Sequence, residues 1–291
     1  MNILITGASG FLGKNLLKYI QQYKSNAIKI FLLVSKNIEG YNCIIHKNYT
    51  YGRDELPHNI DVLIHMGAFS PKSNESLDCV DNVAENIMTT NYLLENLSCL
   101  PTKIIFISSI SVYNSKNDDL IDETTQTKPD TMYGASKLFC EKIIESFCKK
   151  NNIDYQIFRS GVLYGPEDPQ MWIIPTVIKN IRENKNPVVF NGGNELKSFV
   201  NVSDCSRVIY QSLFKKIDDK IINIVSDQNI SIKTLIDILI KISGKNLMIE
   251  NIINEKIYHN TIYNNNLLVK NYDGIKIDYY EGLKEAYESY K

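Results

Sequence analysis

The apolar positions of the chain fall into two rhythms. Short continuous runs alternate with longer stretches at helical spacing. The runs are Ile3–Thr6, Ile28–Val34, Cys43–Ile45, Val62–His65, Ile104–Ser108 and Tyr155–Arg159. Between the first two, Leu12, Leu16, Leu17 and Ile20 fall on one side of a helix over Phe11–Gln22. Asn82–Leu100 reads as a long helix. Thr131–Lys150 reads as another, with Ala135, Phe139, Ile143 and Phe147 at turn spacing. Continuous apolar strands separated by helices predict a parallel sheet covered on both faces, a doubly wound α/β fold of Rossmann type.

The rhythm loosens after Gly165, where Gly165-Pro166, Pro169, Pro175, Pro187 and Gly192-Gly193 punctuate the chain. Ile221–Ser226 reads as a strand. Ile232–Ser243 reads as an amphipathic helix stopping at Gly244. The expected division is a dinucleotide-binding domain over 1–165 and a smaller mixed lobe over 166–291. The segment near 199–214 is expected to cross back to the first domain.

Composition changes this picture mainly by exclusion. Of 291 residues, 44% are hydrophobic and 22% charged, as in ordinary globular proteins. Lys+Arg is 32 and Asp+Glu is 33, for a net charge of −1. That balance argues against a nucleic-acid partner, which usually meets a basic excess. No apolar run reaches the roughly 18 residues of a membrane span. The N-terminus lacks the basic region and small-residue cleavage site of a secretion signal, so a cytoplasmic location is expected. Six scattered cysteines form no C-x-x-C, and four histidines lie far apart. Neither pattern has metal-ligand spacing, and no metal is expected.

The first run leads into TGASGFLG, with Gly7, Gly10 and Gly13 at G-x-x-G-x-x-G spacing. Gly7 permits a sharp turn, Gly10 lets a pyrophosphate approach the backbone, and Gly13 lets the helix pack on the sheet. The helix start then offers its free N–H groups to phosphate. The spacing is neither the G-x-G-x-x-G fingerprint nor Walker A. Between strand and helix it predicts a dinucleotide cradle made by Gly7, Gly10, Phe11, Leu12 and Gly13. In such sites the second strand usually ends on a carboxylate that holds the ribose hydroxyls of NAD. Here it ends Leu33-Val34-Ser35-Lys36. A hydroxyl and an ammonium suit a 2′-phosphate, so NADP(H) is preferred, with NAD(H) possible.

YGASK puts Tyr133 and Lys137 one helical turn apart on a shared face. A phenol near its ordinary pKa of about 10 is a poor base at neutral pH. An adjacent ammonium is expected to favour the phenolate and lower that pKa. The pair can then exchange a proton with a carbinol oxygen while hydride passes to or from a nicotinamide. FISSISVY ends a strand on Ser108 and Ser109, at the sheet edge where ligands bind in open α/β folds.

TGASGFLG, FISSISVY and YGASK, in this order and spacing, resemble the extended short-chain dehydrogenase/reductases. More narrowly, they resemble the nucleotide-sugar epimerase/dehydratase/reductase branch. DVLIHMGA (61–68), ENIMTT (85–90), FRSGVLYGP (158–166) and NGGNELKSFVNVSD (191–204) are similar to further segments of that family. The resemblance implies a catalytic set of Ser109, Tyr133 and Lys137. It implies cofactor contacts from Met66, Gly67, Ala68 and Asn86 beside the glycine loop and Ser35-Lys36. For substrate it points to Lys72, Ser111, Tyr164, Trp172 and Lys197, with a nucleotide-diphosphate sugar as the partner. It also implies a homodimer built on the helices over 82–100 and 131–150.

Departures from the family pattern narrow the reaction. The resemblance implies that sugar 4,6-dehydratases carry Asp-Glu directly after the catalytic hydroxyl residue. This chain has Ile110-Ser111, and neither can act as a general acid. Ser111 also stands where fucose-synthase-type enzymes carry a cysteine. The arginine that commonly grips the diphosphate is Lys197, a point charge without the bidentate fork, and a common asparagine is Val162. The expected function is therefore NADP-dependent reduction of a nucleotide-linked keto-sugar, a 4-keto-6-deoxy hexose or heptose, in surface-glycan precursor synthesis. An NAD-dependent 4-epimerase is the alternative, and a non-catalytic dinucleotide-binding regulator is a second.

Overall fold

A computed structural model describes residues 1–23, 27–47, 49–71, 75–114, 120–168 and 172–290. Its first part runs β1 (Asn2–Thr6), α1 (Phe11–Tyr23), β2 (Lys29–Val34), β3 (Asn42–Ile45), β4 (Val62–His65), α2 (Val80–Glu95), β5 (Lys103–Ser109), β6 (Leu120–Ile121), α3 (Met132–Asn151) and β7 (Asp154–Ser160). The chain continues with β8 (Val162–Tyr164), α4 (Ile173–Arg182), β9 (Val188–Phe190), β10 (Leu196–Lys197), β11 (Phe199–Asn201), α5 (Val202–Ser212) and β12 (Ile221–Ile224). It closes with β13 (Ile230–Ser231), α6 (Ile232–Ser243), β14 (Glu250–Ile252), β15 (Ile262–Tyr263), α7 (Asn266–Tyr272) and α8 (Tyr279–Ser289).

Seven strands form one sheet in the order β12-β7-β5-β4-β1-β2-β3, every neighbouring pair parallel. Alternate residues of β1 show why these runs are continuously apolar. Ile3 and Ile5 enter a core with Leu16, Leu17 and Ile20 of α1, Val208 and Ile209 of α5, and Leu268 of α7. Leu4 points to the other face, among Leu93 and Leu94 of α2 and Cys140, Ile144 and Cys148 of α3. The strand order reverses beside β1, with β2 on one side and β4 on the other. The C-terminal ends of β1 and β4 thus flank the crevice where such sheets bind ligands.

A separate apolar cluster holds the second lobe together: Ile178 and Ile181 of α4, Leu235 and Leu239 of α6, and Leu283 and Ala286 of α8. The return to the sheet is larger than the segment near 199–214. It includes β12 as an edge strand and α7 packed on the same core as α5. Helix α2 stops at Glu95, short of Leu100. Asn96 caps it by returning its side-chain amide to the Tyr92 carbonyl at 2.9 Å, and Leu97 turns into the core. On α3 the buried face is Gly134, Ser136, Lys137, Cys140, Glu141, Ile144 and Cys148. Phe139, from the apolar stripe, is 55% exposed. No helix among the described residues is long and apolar enough to cross a membrane.

Candidate active site

The glycine loop folds as a cradle because side chains are sterically barred from it. Gly7 has φ +74°, and a Cβ there would lie 2.6 Å from the Gly67 amide nitrogen. A Cβ on Gly13 would overlap the Gly7 carbonyl oxygen, so α1 packs directly against the loop. The Gly10 amide donates to the Gly7 oxygen at 3.1 Å, closing the turn, and α1 starts at Phe11 with no acidic residue in its first turn. Such a helix start presents unpaired N–H groups and a positive dipole end. These residues fit a dinucleotide pyrophosphate.

The cradle opens into a cavity of 910 Å³ that runs from the sheet edge to the second lobe. Gly7, Gly10, Phe11, Leu12, Gly13 and Ser35 line one end. Met66, Gly67 and Ala68 line the wall after β4, while Ser109, Ser111, Tyr133 and Lys137 meet in the middle. Trp172 and Lys197 line the far end. The volume is that of a site for large organic ligands.

Three expected contacts lie elsewhere, and the reasons are physical. Lys36 is exposed and does not line the cavity. Asn86 is buried: its Oδ1 accepts from the Phe69 amide at 2.6 Å and its Nδ2 donates to Ser136 Oγ at 3.3 Å, so it pins the loop after β4. Tyr164 is 1% exposed in the second lobe's core, its hydroxyl against Gly282. Lys72 lies outside the described residues. Sequence reasoning also missed lining residues, among them His46, Tyr49, Asp130, Glu195, Thr261 and Tyr263. All but Tyr263 sit on loops without periodicity, and Tyr263 ends the two-residue strand β15, too short to show any, so no pattern marked them.

The central cluster is built by β5 and α3. Thr131 caps α3, its Oγ1 accepting from the Gly134 amide at 3.1 Å. A Cβ on Gly134 would collide with the Ser111 carbonyl, so the helix start seats directly on the turn after β5. In that turn the Ser109 hydroxyl accepts from the Ser111 amide at 3.1 Å and donates to Ser111 Oγ at 3.0 Å. Tyr133 hydrogen-bonds Ser109. Packing around Tyr133 pushes its phenol up to about 12, against the pull of the Ser109 bond. The expected lowering by Lys137 is not found: burial sets the direction, and the phenol keeps its proton at neutral pH. Lys137 is buried 4.7 Å over the Phe106 ring, and desolvation pushes its ammonium down to about 8.

Beneath the cavity floor, hydrogen bonds run in one direction through His65. The Gly67 amide donates to Thr6 Oγ1 at 2.8 Å, and Thr6 faces His65 Nδ1 at 2.7 Å. His65 Nε2 meets Thr90 Oγ1 at 3.0 Å, which donates to the Asn86 carbonyl at 2.7 Å. The chain is satisfied with a neutral imidazole protonated at Nε2. Burial, then the Lys137 charge, pushes His65 down to about 3. The unfolded histidine titrates near 6.5, so the unfolded state binds the extra proton between those values. Stability from this group is full above pH 6.5 and falls as pH drops toward 3, at up to about 1.4 kcal/mol per pH unit. Urea unfolding of the protein and of His65→Gln at pH 7, 5 and 4 checks this. The two curves should converge as pH falls, and parallel curves would contradict it.

On the substrate side, Lys197 Nζ donates to the His259 carbonyl at 2.9 Å and Thr261 Oγ1 at 3.0 Å, tethering β10 to the loop that leads into β15. Ile110 and Ser111 both line the cavity beside Ser109 without a carboxyl group.

The profile of the NAD dependent epimerase/dehydratase family matches residues 3–224. A dTDP-D-glucose 4,6-dehydratase of Dictyostelium discoideum is 28% identical over 256 residues, 79% of this chain. The aligned region spans 59% of that longer protein. A dTDP-4-dehydro-6-deoxyglucose reductase of Escherichia coli is 27% identical over 269 residues, 81% of this chain and 79% of its own length. The crystal structure of UDP-glucuronic acid 4-epimerase from Bacillus cereus in complex with NAD shares the fold. Its TM-score is 0.85 over 99% of this chain and 98% of that one, at 24% identity.

Proposed function

Since the chain belongs to the NAD-dependent epimerase/dehydratase family, we propose that it reduces a nucleotide-linked keto-sugar with NADPH, in surface-glycan precursor synthesis. The observation that carries this reading is the central cluster. Ser109 and Tyr133 are hydrogen-bonded to each other, Tyr133 holds its proton, and no carboxyl group follows Ser109. Gly7–Gly13 would hold the dinucleotide, which would supply the hydride. The Ser109 hydroxyl hydrogen-bonds the sugar carbonyl oxygen, and Tyr133 Oη gives that oxygen its proton, completing a carbinol. The phenolate left behind is stabilised by the Lys137 ammonium one turn away. Loss of water from the sugar needs a further acid and base, which Ile110 and Ser111 do not provide. The second lobe faces the nucleotide diphosphate with Lys197 and Trp172.

The test is anaerobic incubation with NADPH and a panel of 4-keto-6-deoxy sugar nucleotides, following NADPH absorbance. Consumption with one of them is expected, and no consumption with any overturns the reading. Tightly retained NAD with interconversion at C4 and no net cofactor turnover would instead identify a 4-epimerase. Because Lys137 sits near 8, kcat/KM should fall as pH rises through about 8. A pH–rate profile flat to pH 10 would contradict a role for that charge.

We also infer a homodimer through α2 and α3. Met88 is 70% exposed and Phe139 is 55% exposed, a large apolar pair on two adjacent helices. Light scattering should give twice the monomer mass, and Met88→Glu with Phe139→Glu should halve it.

A further inference from the structure

We propose that His46, with Ser35 beside it, is what makes the adenosine end of the cavity accept a 2′-phosphate. The inference rests on the NADP reading above and assigns its selectivity to an imidazole rather than to Lys36. The second strand's end is where a dinucleotide fold reads the ribose 2′-position. Here β2 and β3 run parallel with Val34 opposite Ile45, so Ser35 and His46 are level on adjacent strands. The His46 amide donates to the Val34 carbonyl at 3.0 Å, which locks that register at its last step. Both side chains line the cavity, and Lys36, one residue on, does not.

The imidazole is also oriented. The chain turns back through Tyr49, at φ +58°, so that the Tyr49 amide donates to His46 Nδ1 at 3.1 Å. The two rings stack with centroids 4.9 Å apart and planes 18° from parallel. With Nδ1 accepting, the proton of the neutral ring sits on Nε2, which makes that nitrogen a donor. Among the described lining residues the carboxylates are Asp130 and Glu195. Asp130 immediately precedes the Thr131 cap of α3, and Glu195 belongs to the second lobe, so neither is on the β2–β3 edge. The carboxylate that would accept two ribose hydroxyls and repel a phosphate is replaced by a hydroxyl and an oriented imidazole donor. Glu85 of α2 acts on Tyr49 of this corner.

Calorimetric titration with NADP⁺ and with NAD⁺ tests the assignment without relying on turnover. The protein should bind NADP⁺ more tightly. His46→Ala should weaken NADP⁺ by about tenfold or more, the size of a hydrogen bond to a charged group, while NAD⁺ changes less than twofold. His46→Gln, which keeps a donor, should recover part of the loss. His46→Asp should invert the preference, and thermal melts check that each variant is folded. If the protein prefers NADP⁺ but His46→Ala leaves the ratio unchanged while Lys36→Ala abolishes it, the His46 assignment fails and the NADP reading stands. If the unaltered protein binds NAD⁺ more tightly, the NADP reading itself fails.

Discussion

Tyr133→Phe should lower turnover by about 10²–10⁴-fold, a rise of about 3–5 kcal/mol in the barrier, with little change in dinucleotide affinity. The substitution removes one oxygen from the centre of the cavity and leaves the ring that packs against its surroundings. What is lost is the proton that must reach the carbonyl oxygen as hydride arrives. Tyr133 is well suited to give that proton, because burial holds the phenol near 12 and the group is protonated over the whole working range. Ser109 cannot replace it: an aliphatic hydroxyl is a far weaker acid than a phenol, and neither Ile110 nor Ser111 after it carries a carboxyl group to restore its proton. The checks are a single-turnover rate with saturating NADPH and a calorimetric affinity for the same cofactor. Turnover retained within tenfold would remove Tyr133 from the chemistry. Affinity falling in parallel with rate would make it a binding residue.

Glu141→Ala should destabilise the fold by about 3–5 kcal/mol, the cost of leaving a buried charge without its partner. Glu141 is 2% exposed and Arg159 is 4% exposed. The carboxylate takes both arms of the guanidinium, Nε at 3.0 Å and Nη2 at 2.8 Å, and also accepts from Ser108 Oγ at 2.6 Å. The third arm of Arg159 donates to Tyr113 Oη at 2.7 Å, and that hydroxyl donates to Asn223 Oδ1 at 3.0 Å. The network therefore ties α3, one turn beyond Lys137, to β5, the turn after it, β7 and β12. Removing both charges together, as Glu141→Leu with Arg159→Met, should cost much less than Glu141→Ala alone. A double-mutant cycle from urea unfolding measures the coupling. A single-substitution cost below about 1 kcal/mol would mean that water reaches Arg159 and that the network is not sealed. Because Ser108 precedes Ser109 on the strand, the surviving folded fraction should also show reduced kcat.

The strands legible in the sequence are those buried on both faces, such as Ile3–Thr6, Val62–His65 and Ile104–Ser108. A run apolar at every position has few other places to go. The strands of the second lobe are two or three residues long, too short to show any period, and only their pairing defines them. The glycine loop is legible because two of its backbone positions, Gly7 and Gly13, must lack a side chain and Gly10 is closely approached. Tyr133 and Lys137 were legible because four residues is one turn of helix. Lys36 illustrates the opposite case. Its charge invited a phosphate, but a strand's next residue turns to the other side, and only three-dimensional placement shows which residues at the strand end reach the cavity.

By itself the sequence determined the alternation of strand and helix, the cradle after β1 and the three polar groups that can move a proton. These follow from spacing, which is local and needs no partner. Tertiary structure alone decided which groups meet and in what charge state. His46 comes beside Ser35 because β3 pairs with β2 in one register. Asn86 is withdrawn from the cavity because its amide pins the loop after β4, and Tyr164 because its ring packs in the second lobe's core. Tyr133 keeps its proton because the surrounding packing costs an anion more than the Ser109 hydroxyl returns. Those outcomes depend on distances across the sheet and on exclusion of water, and neither exists until the chain has closed around them.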